Sequence, residues 1–221
     1  MREHHLTVSR RARYYTLGEP ATARHVWIAC HGYGQLAQKF LTYLATLDNG
    51  QRLLVAPEAL SRFYHEQGRG PVGASWMTRE DREQEIHDYV AYLDQLASTI
   101  QSELRSPATF YGLGFSQGVA TLSRWLTGGT TCMGGAAFWA GTIPADLDDA
   151  RLGERLRGLP VALAAGSTDE FLPKSWLSQE QARLERLGVS CLTFPFHGGH
   201  RLDRTVLAQV FSTLEMPSAN K

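Results

Sequence analysis

A serine flanked by glycines is the residue of this chain best suited to covalent chemistry. Gly114-Phe115-Ser116-Gln117-Gly118 matches the pattern G-x-S-x-G. The apolar run at 108–111 before it is typical of a buried strand, and the run at 119–126 after it is typical of a helix. A serine on so sharp a turn projects its hydroxyl out of the sheet, and flanking glycines avoid collisions with neighbouring backbone. The pattern predicts that Ser116 is a nucleophile.

A serine nucleophile needs a base to take its proton, and a carboxylate to hold that base in the right tautomer. The acid we predict is Asp169, which follows the strand predicted at 161–165. Glu170 is the adjacent alternative. Other carboxylates that follow a strand are better interpreted as surface residues of a polar loop: Asp146, Asp148 and Asp149.

The base we predict is His200, after the strand predicted at 190–194 and two glycines, with His197 as the alternative. Glycines there would let the backbone approach the nucleophile closely. Serine, acid and histidine then follow one another in the order that this triad has when each lies at the carboxyl end of a parallel strand. The sequence therefore predicts a triad of Ser116, Asp169 and His200.

The negative oxygen that forms when serine attacks a carbonyl needs two N–H donors. The first predicted donor is Gln117, directly after the nucleophile and at a helix N-terminus, where the helix dipole also helps. The second is Tyr33 in the glycine-rich stretch Cys30-His31-Gly32-Tyr33-Gly34, which follows an early apolar strand. An ordinary strand-to-helix turn is the alternative for that stretch. His31 is expected to support the loop through hydrogen bonds.

The elements that must position these residues alternate between strand and helix. One or two edge strands are expected within 4–17, and helices are predicted at 36–47, 80–104, 117–126, 174–187 and 203–214. Further strands are predicted at 25–30, 52–56, 109–112, 136–140, 161–165 and 190–194. This alternation predicts one α/β domain over 1–221, with a doubly wound, mainly parallel sheet and helices on both faces. Residues 60–79 are predicted to be a loop that covers the site as a partial lid, too short for a large cap domain, and 216–221 a flexible tail.

Composition excludes several classes of function. Lys plus Arg and Asp plus Glu both number 22 among 221 residues, which argues against a general affinity for nucleic acid or anionic membrane. No segment approaches the roughly 20 apolar residues that span a bilayer, so stable membrane insertion is not expected, and no apolar run follows the N-terminus as in a signal peptide. Three cysteines, in apolar runs and without metal-ligand spacing, are expected to be buried thiols in a reducing cytoplasm.

At these residues the sequence resembles the phospholipase/carboxylesterase family of α/β-hydrolases, which includes acyl-protein thioesterases and small bacterial carboxylesterases. The similarity covers His31-Gly32-Tyr33-Gly34, the G-x-S-x-G pentapeptide, the aspartate in residues 166–173, and Gly199-His200. It implies the α/β-hydrolase fold and hydrolysis of carboxylic esters or thioesters through an acyl-enzyme, without metal or cofactor. It also implies that Ser116, Asp169 and His200 are catalytic and that Tyr33 and Gln117 form the oxyanion hole. Gln35 and Val119 stand where the thioesterase branch usually has Asp and Gly.

The acyl group should bind among loops above the strand ends, where apolar side chains are available. The predicted contacts are Phe63, Tyr64, Trp76, Met77, Trp139, Phe171 and Leu172. The sequence therefore predicts a carboxylesterase whose partner is a small-molecule ester, with thioesters and lysophospholipids as further candidates, acting as a monomer or homodimer. The alternatives are other uses of the same fold: peptide or lactone hydrolysis, a lyase reaction, or non-catalytic binding of a small molecule.

Overall fold

The computed structural model describes residues 1–216. Its strands are β1 (Tyr14–Leu17), β2 (His25–Cys30), β3 (Arg52–Pro57), β4 (Ser61–Glu66), β5 (Arg69–Ser75), β6 (Thr109–Phe115), β7 (Gly135–Trp139), β8 (Val161–Gly166) and β9 (Cys191–Phe196). Its α-helices are α1 (Ala37–Leu44), α2 (Arg82–Glu103), α3 (Gln117–Gly128), α4 (Asp149–Leu156), α5 (Trp176–Arg186) and α6 (Arg204–Leu214), and a 3₁₀ turn, Ala45–Leu47, extends α1.

Seven strands form one twisted sheet in the order β1-β3-β2-β6-β7-β8-β9. All neighbouring pairs are parallel except β1, which runs antiparallel to β3 at the edge. The strands β2, β6 and β7 are continuous apolar runs because both faces of the sheet are covered. Helices α1 and α6 pack on one face, and α2, α3, α4 and α5 on the other. The predicted fold class, a doubly wound and mainly parallel sheet, is confirmed.

The apolar stripe of each helix explains how the layers join. On one face Phe211 of α6 stacks on Trp27 of β2, with ring centroids 3.6 Å apart. On the other face Leu93 of α2 and Trp125 of α3 are buried against the sheet. The strands that carry the candidate triad are therefore fixed from both sides.

The end of α6 is fixed by a nearly buried ion pair. The guanidinium of Arg52 donates to both carboxylate oxygens of Glu215, at 2.7 and 2.6 Å, and Trp27 Nε1 donates to the same carboxylate at 2.7 Å. Arg52 Nη1 also donates to the carbonyl of Leu47. The pair ties the last described helix to the sheet.

Three local predictions differ from the structure. Residues 60–79 contain a β-hairpin, β4–β5, where a loop was predicted, and its strands pair antiparallel with an irregularity between Tyr64 and Glu66. Helix α4 was not predicted; Asp148, expected to lie in a surface loop, caps it by accepting from the N–H of Arg151. Cys132 is exposed and not buried as expected, because it lies in the turn before β7.

Of the tail expected at 216–221, residues 217–221 lie outside the described residues. Among the helices within 1–216, none is both long enough and apolar enough to cross a membrane.

Candidate active site

Ser116 lies on a strained turn between β6 and α3. Its φ of 54° and ψ of −119° place a non-glycine residue in the left-handed half of backbone space. A Cβ at Gly114 would lie 2.5 Å from the carbonyl oxygen of Gly118, and a Cβ at Gly118 would collide with the backbone of Cys30. Because only glycine fits at both positions, the turn keeps its close approach to β2 and directs the serine hydroxyl away from the sheet.

Ser116, His200 and Asp169 form one continuous chain of hydrogen bonds. Ser116 Oγ lies 2.9 Å from His200 Nε2, and His200 Nδ1 lies 2.8 Å from Asp169 Oδ2. The second carboxylate oxygen of Asp169 accepts the N–H of Phe171 at 2.9 Å. The Asp169 side chain is 1% exposed and that of His200 is 15% exposed. With Nδ1 donating to the Asp169 carboxylate, the Nε2 lone pair is directed at the serine hydroxyl and can accept its proton.

The triad assembles because β8 and β9 are parallel neighbours whose following loops lie side by side. The N–H of Ser167 donates to Phe196 O at 2.8 Å, and the N–H of Thr168 donates to Gly198 O at 2.9 Å. A side chain at Gly166 would collide with the backbone of Gly198, so glycine is required there. The alternatives Glu170 and His197 are both exposed and take no part in the hydrogen-bond chain.

The loop after β2 lies directly against the nucleophile. A Cβ at Gly32 would lie 3.1 Å from Ser116 Cβ, and the N–H of Gly32 donates to Gln35 Oε1 at 2.8 Å. Within residues 1–216, the backbone N–H groups of Tyr33 and Gln117 have no hydrogen-bond acceptor. Both predicted oxyanion donors are therefore available beside Ser116.

His31 supports this loop from below. Its ring is buried; Nδ1 donates to Gly32 O at 2.8 Å, and Nε2 accepts the N–H of Ala59 at 3.1 Å. Burial lowers the pKa of His31 below its ordinary value, so the neutral tautomer persists. This arrangement matches the supporting role expected for His31.

The end of the hairpin, residues 74–77, contacts Gln117 and the loop that contains Tyr33. On one side it pairs with the loop after β2, since Gly34 N–H donates to Ala74 O at 2.9 Å. On the other side the Gln117 side chain accepts the N–H of Trp76 at 3.2 Å and donates to Ser75 Oγ at 3.1 Å and Met77 O at 3.0 Å. The hairpin end thus joins two segments that are distant in sequence, a role that sequence reasoning missed.

Two of the predicted substrate contacts are core residues. Trp76 and Trp139 are 2% and 0% exposed and lie in the two hydrophobic cores. The indole N–H of Trp76 donates to His31 O at 2.8 Å, and that of Trp139 donates to Arg201 O at 2.9 Å. Their predicted role as pocket residues was wrong: both tryptophans support the loops of the site from behind.

The other five predicted contacts lie nearer the surface. Phe171 is 71% exposed, and its ring meets the His200 ring edge-on at 4.7 Å. Phe63 stacks on Tyr33 at 5.1 Å. Tyr64 is exposed, whereas Met77 and Leu172 are half-buried against the core. Contact of these five residues with an acyl group stays a prediction.

An open groove of about 570 Å³ begins at His200 and was not predicted. It is lined by Gln35, Tyr43, Phe115 and residues 200–205. None of the seven predicted substrate contacts lies in its lining. The groove was missed because its walls come from polar residues at the start of α6 and from the exposed face of α1.

Three side chains within the described part of the chain are close enough to share a metal ion: Glu3, His5 and Asp81. All three are exposed, and none belongs to the Ser116–His200–Asp169 chain.

Comparison with solved structures identifies the architecture. The chain is similar to acyl-protein thioesterase 2 from Zea mays, with 19% identity over 92% of this chain and 98% of that one and a TM-score of 0.71. The chain has the α/β-hydrolase fold. The α/β-hydrolases that it resembles also include a phospholipase/carboxylesterase from Dyadobacter fermentans, with 21% identity, coverage of 94% and 98%, and a TM-score of 0.65. A carboxylesterase from Bacillus cereus shares 17% identity over 92% of each chain, with a TM-score of 0.64. No protein family and no curated protein matches the sequence.

Proposed function

We propose that this protein is a serine hydrolase of the phospholipase/carboxylesterase type, which cleaves carboxylic esters through an acyl-enzyme. The observation that carries the proposal is the unbroken hydrogen-bond chain from Ser116 Oγ through His200 to the buried Asp169. Such a chain on a strained strand-to-helix turn is the geometry that makes a serine hydroxyl nucleophilic.

In the first half-reaction, Ser116 Oγ attacks the ester carbonyl carbon while its proton moves to His200 Nε2. The carbonyl oxygen becomes an oxyanion, and the resulting imidazolium is stabilised by Asp169, 2.8 Å away. When the tetrahedral intermediate collapses, the bond between carbon and leaving oxygen breaks. His200 gives its proton to that oxygen, and the alcohol departs.

In the second half-reaction, water attacks the Ser116 ester. His200 Nε2 takes a proton from the water, and the same proton then returns to Ser116 Oγ as the acid leaves. Each proton removed by His200 is given back within the cycle, so the reaction consumes only ester and water.

The oxyanion is stabilised in this proposal by the N–H groups of Tyr33 and Gln117. Both have no acceptor among the residues described, and both flank the nucleophile. Donors that are already oriented when the negative charge forms stabilise the transition state more than the substrate. The N-terminus of α3 adds a favourable dipole at the same position.

Two observations support the proposed class of ester. Several of the solved structures that the chain resembles are described as esterases or thioesterases. The exposed aromatic rings of Phe171 and Tyr33 provide apolar contact surface around His200 and the oxyanion loop. We propose esters with small or medium acyl groups as the primary substrates, with thioesters as a second class.

A series of p-nitrophenyl esters of increasing acyl length tests this function. Wild type should turn over the shorter esters, and Ser116→Ala should lose at least about 10³-fold in kcat. Ser123→Ala is the control, because Ser123 is a buried serine of the helix that follows Ser116, and its hydroxyl bonds only to Val119 O. Turnover by Ser116→Ala equal to that of the control would refute the proposal.

A further inference from the structure

The groove beside His200 lies on the side of the site from which the alcohol departs. His200 Nε2 must give its proton to the leaving oxygen, so the leaving group lies next to that nitrogen. The groove is lined by that same histidine, by residues 201–205 and by Tyr43. On the proposed mechanism, this groove holds the alcohol or thiol part of the substrate.

The lining of the groove combines apolar surface with basic side chains. Tyr43, Phe115 and Leu202 supply the apolar surface, and Arg201 and Arg204 supply two guanidinium groups. Asp203 is the one carboxylate among these lining residues. The charge that the groove offers to a ligand therefore depends on which of these three charged groups are already paired.

Asp203 is fully engaged within the protein. One carboxylate oxygen accepts the N–H groups of Thr205 and Val206 at the start of α6, at 3.1 and 3.2 Å. The other lies 3.3 Å from Arg201 Nη2. Arg201 is further occupied by the carbonyl of His197 and lies over the Phe196 ring. These two opposite charges therefore neutralise one another.

Arg204 has no acidic partner within residues 1–216. It lies on the first turn of α6 and is exposed to solvent. The groove therefore carries one uncompensated positive charge, next to apolar walls and at the side where the alcohol binds. A guanidinium so placed can bind a carboxylate or phosphate with two parallel hydrogen bonds.

We infer that the enzyme prefers esters whose alcohol or thiol part carries a negative charge, and that Arg204 determines this preference. The inference rests on the proposed esterase function and names the leaving group of the same site. The substrate chemistry is an apolar or aromatic alcohol with a carboxylate or phosphate group at its far end. Arg204 binds that group while the acyl part lies on the opposite side of Ser116.

Matched aryl acetates test the inference. The probes are 4-acetoxybenzoate, 4-acetoxyphenyl phosphate and the neutral 4-acetoxybenzamide. The kcat/KM of each probe is divided by the rate constant for its hydrolysis by hydroxide, which corrects for differences in the intrinsic reactivity of the three esters. At low ionic strength wild type should show a kcat/KM about three- to fivefold higher for an anionic probe than for the amide, the size expected for an exposed ion pair. The preference should shrink towards one in about 0.5 M NaCl, because salt screens exposed charges. The two anionic probes show whether carboxylate or phosphate is preferred.

Substitutions assign the preference to a residue. Arg204→Gln should bring the ratio of anionic to neutral kcat/KM close to one, and Arg204→Glu should invert it. Arg105→Gln is the control: it makes the same charge change at an exposed arginine just before β6, at the amino ends of the parallel strands and away from the candidate active site. The control should keep the wild-type ratio.

The outcomes separate the two proposals. Hydrolysis of all three probes without a charge preference, or a preference that survives Arg204→Gln, would overturn the inference and leave the esterase proposal intact. Failure to hydrolyse any probe or any p-nitrophenyl ester would refute the proposed function itself.

Discussion

The Gln117 side chain offers the sharpest test of how the oxyanion hole is positioned. It makes three hydrogen bonds to the hairpin end, with Trp76 N–H, Ser75 Oγ and Met77 O. The backbone N–H of the same residue is a proposed oxyanion donor. Gln117→Leu keeps a similar volume and removes all three bonds, so the donor remains but its orientation is no longer fixed.

The expected magnitude follows from these contacts. Complete removal of an oxyanion donor costs about 10²–10³ in kcat. A donor that is displaced and not removed should cost about 10- to 100-fold in kcat, with KM changed less than about twofold. The variant should also lose about 1–3 kcal/mol of unfolding free energy, because Trp76 N–H is left without a partner.

The assay must separate catalysis from stability. We expect the affinity for a trifluoromethyl ketone, which mimics the tetrahedral intermediate, to fall in parallel with kcat. Ser75→Ala removes only one of the three partners and should cost less than about threefold. Ser123→Ala, buried in the same helix, controls for destabilisation alone.

Two results would refute the reasoning about Gln117. The first is a Gln117→Leu enzyme with wild-type kcat and wild-type affinity for the ketone. The second is an equal loss in kcat for Ser123→Ala, which would show that the effect comes from general loosening of α3.

Three further substitutions test other parts of the structure. Asp169→Asn removes the charge 2.8 Å from His200 Nδ1 and favours the wrong tautomer, so kcat for the p-nitrophenyl esters should fall by about 10⁴-fold; a loss below about tenfold would contradict the triad. Glu215→Gln breaks the nearly buried pair with Arg52 and should lower the unfolding free energy by about 3 kcal/mol in a urea titration, whereas an unchanged midpoint would show that the pair contributes nothing. His31→Gln tests pH dependence. Burial lowers the pKa of His31, so the unfolded chain binds the proton first as pH falls, and wild type should lose stability below about pH 6.5. The variant should lose less stability over that range. If the melting temperatures of the two proteins changed equally with pH, the buried, neutral state assigned to His31 would be disproved.

The sequence predicted that Ser116, Asp169 and His200 lie together because each of them follows a strand of a mainly parallel sheet. The carboxyl ends of parallel strands meet at one edge, so Ser116, Asp169 and His200, each following a strand, had to lie near one another. The glycines around Ser116 indicated that two backbone segments approach closely there, and the structure shows this approach between Gly118 and Cys30. The glycine pattern is local and the order of the strands follows from the alternation of elements, so both can be predicted from a single sequence.

The hairpin and the core positions of the two tryptophans could not be predicted, because neither follows from a local pattern or from strand order. Strand β4 is mostly exposed, β5 contains two glycines and a proline, and their register is irregular, so they lack the alternation that signals a strand. Trp139 lies in a strand buried on both faces, where alternation does not show which side a ring occupies. The bonds of Gln117 join segments about 40 residues apart and leave no local signal.

Covalent labelling by a fluorophosphonate tests the central claim most directly, because such a probe reacts much faster with an activated serine than with an ordinary hydroxyl. We expect one label for each chain, found by peptide mass spectrometry on the peptide that contains Ser116. Labelling should be lost in Ser116→Ala and retained in Ser123→Ala. A label on another residue, or undiminished labelling of Ser116→Ala, would contradict the assignment of Ser116 as the nucleophile.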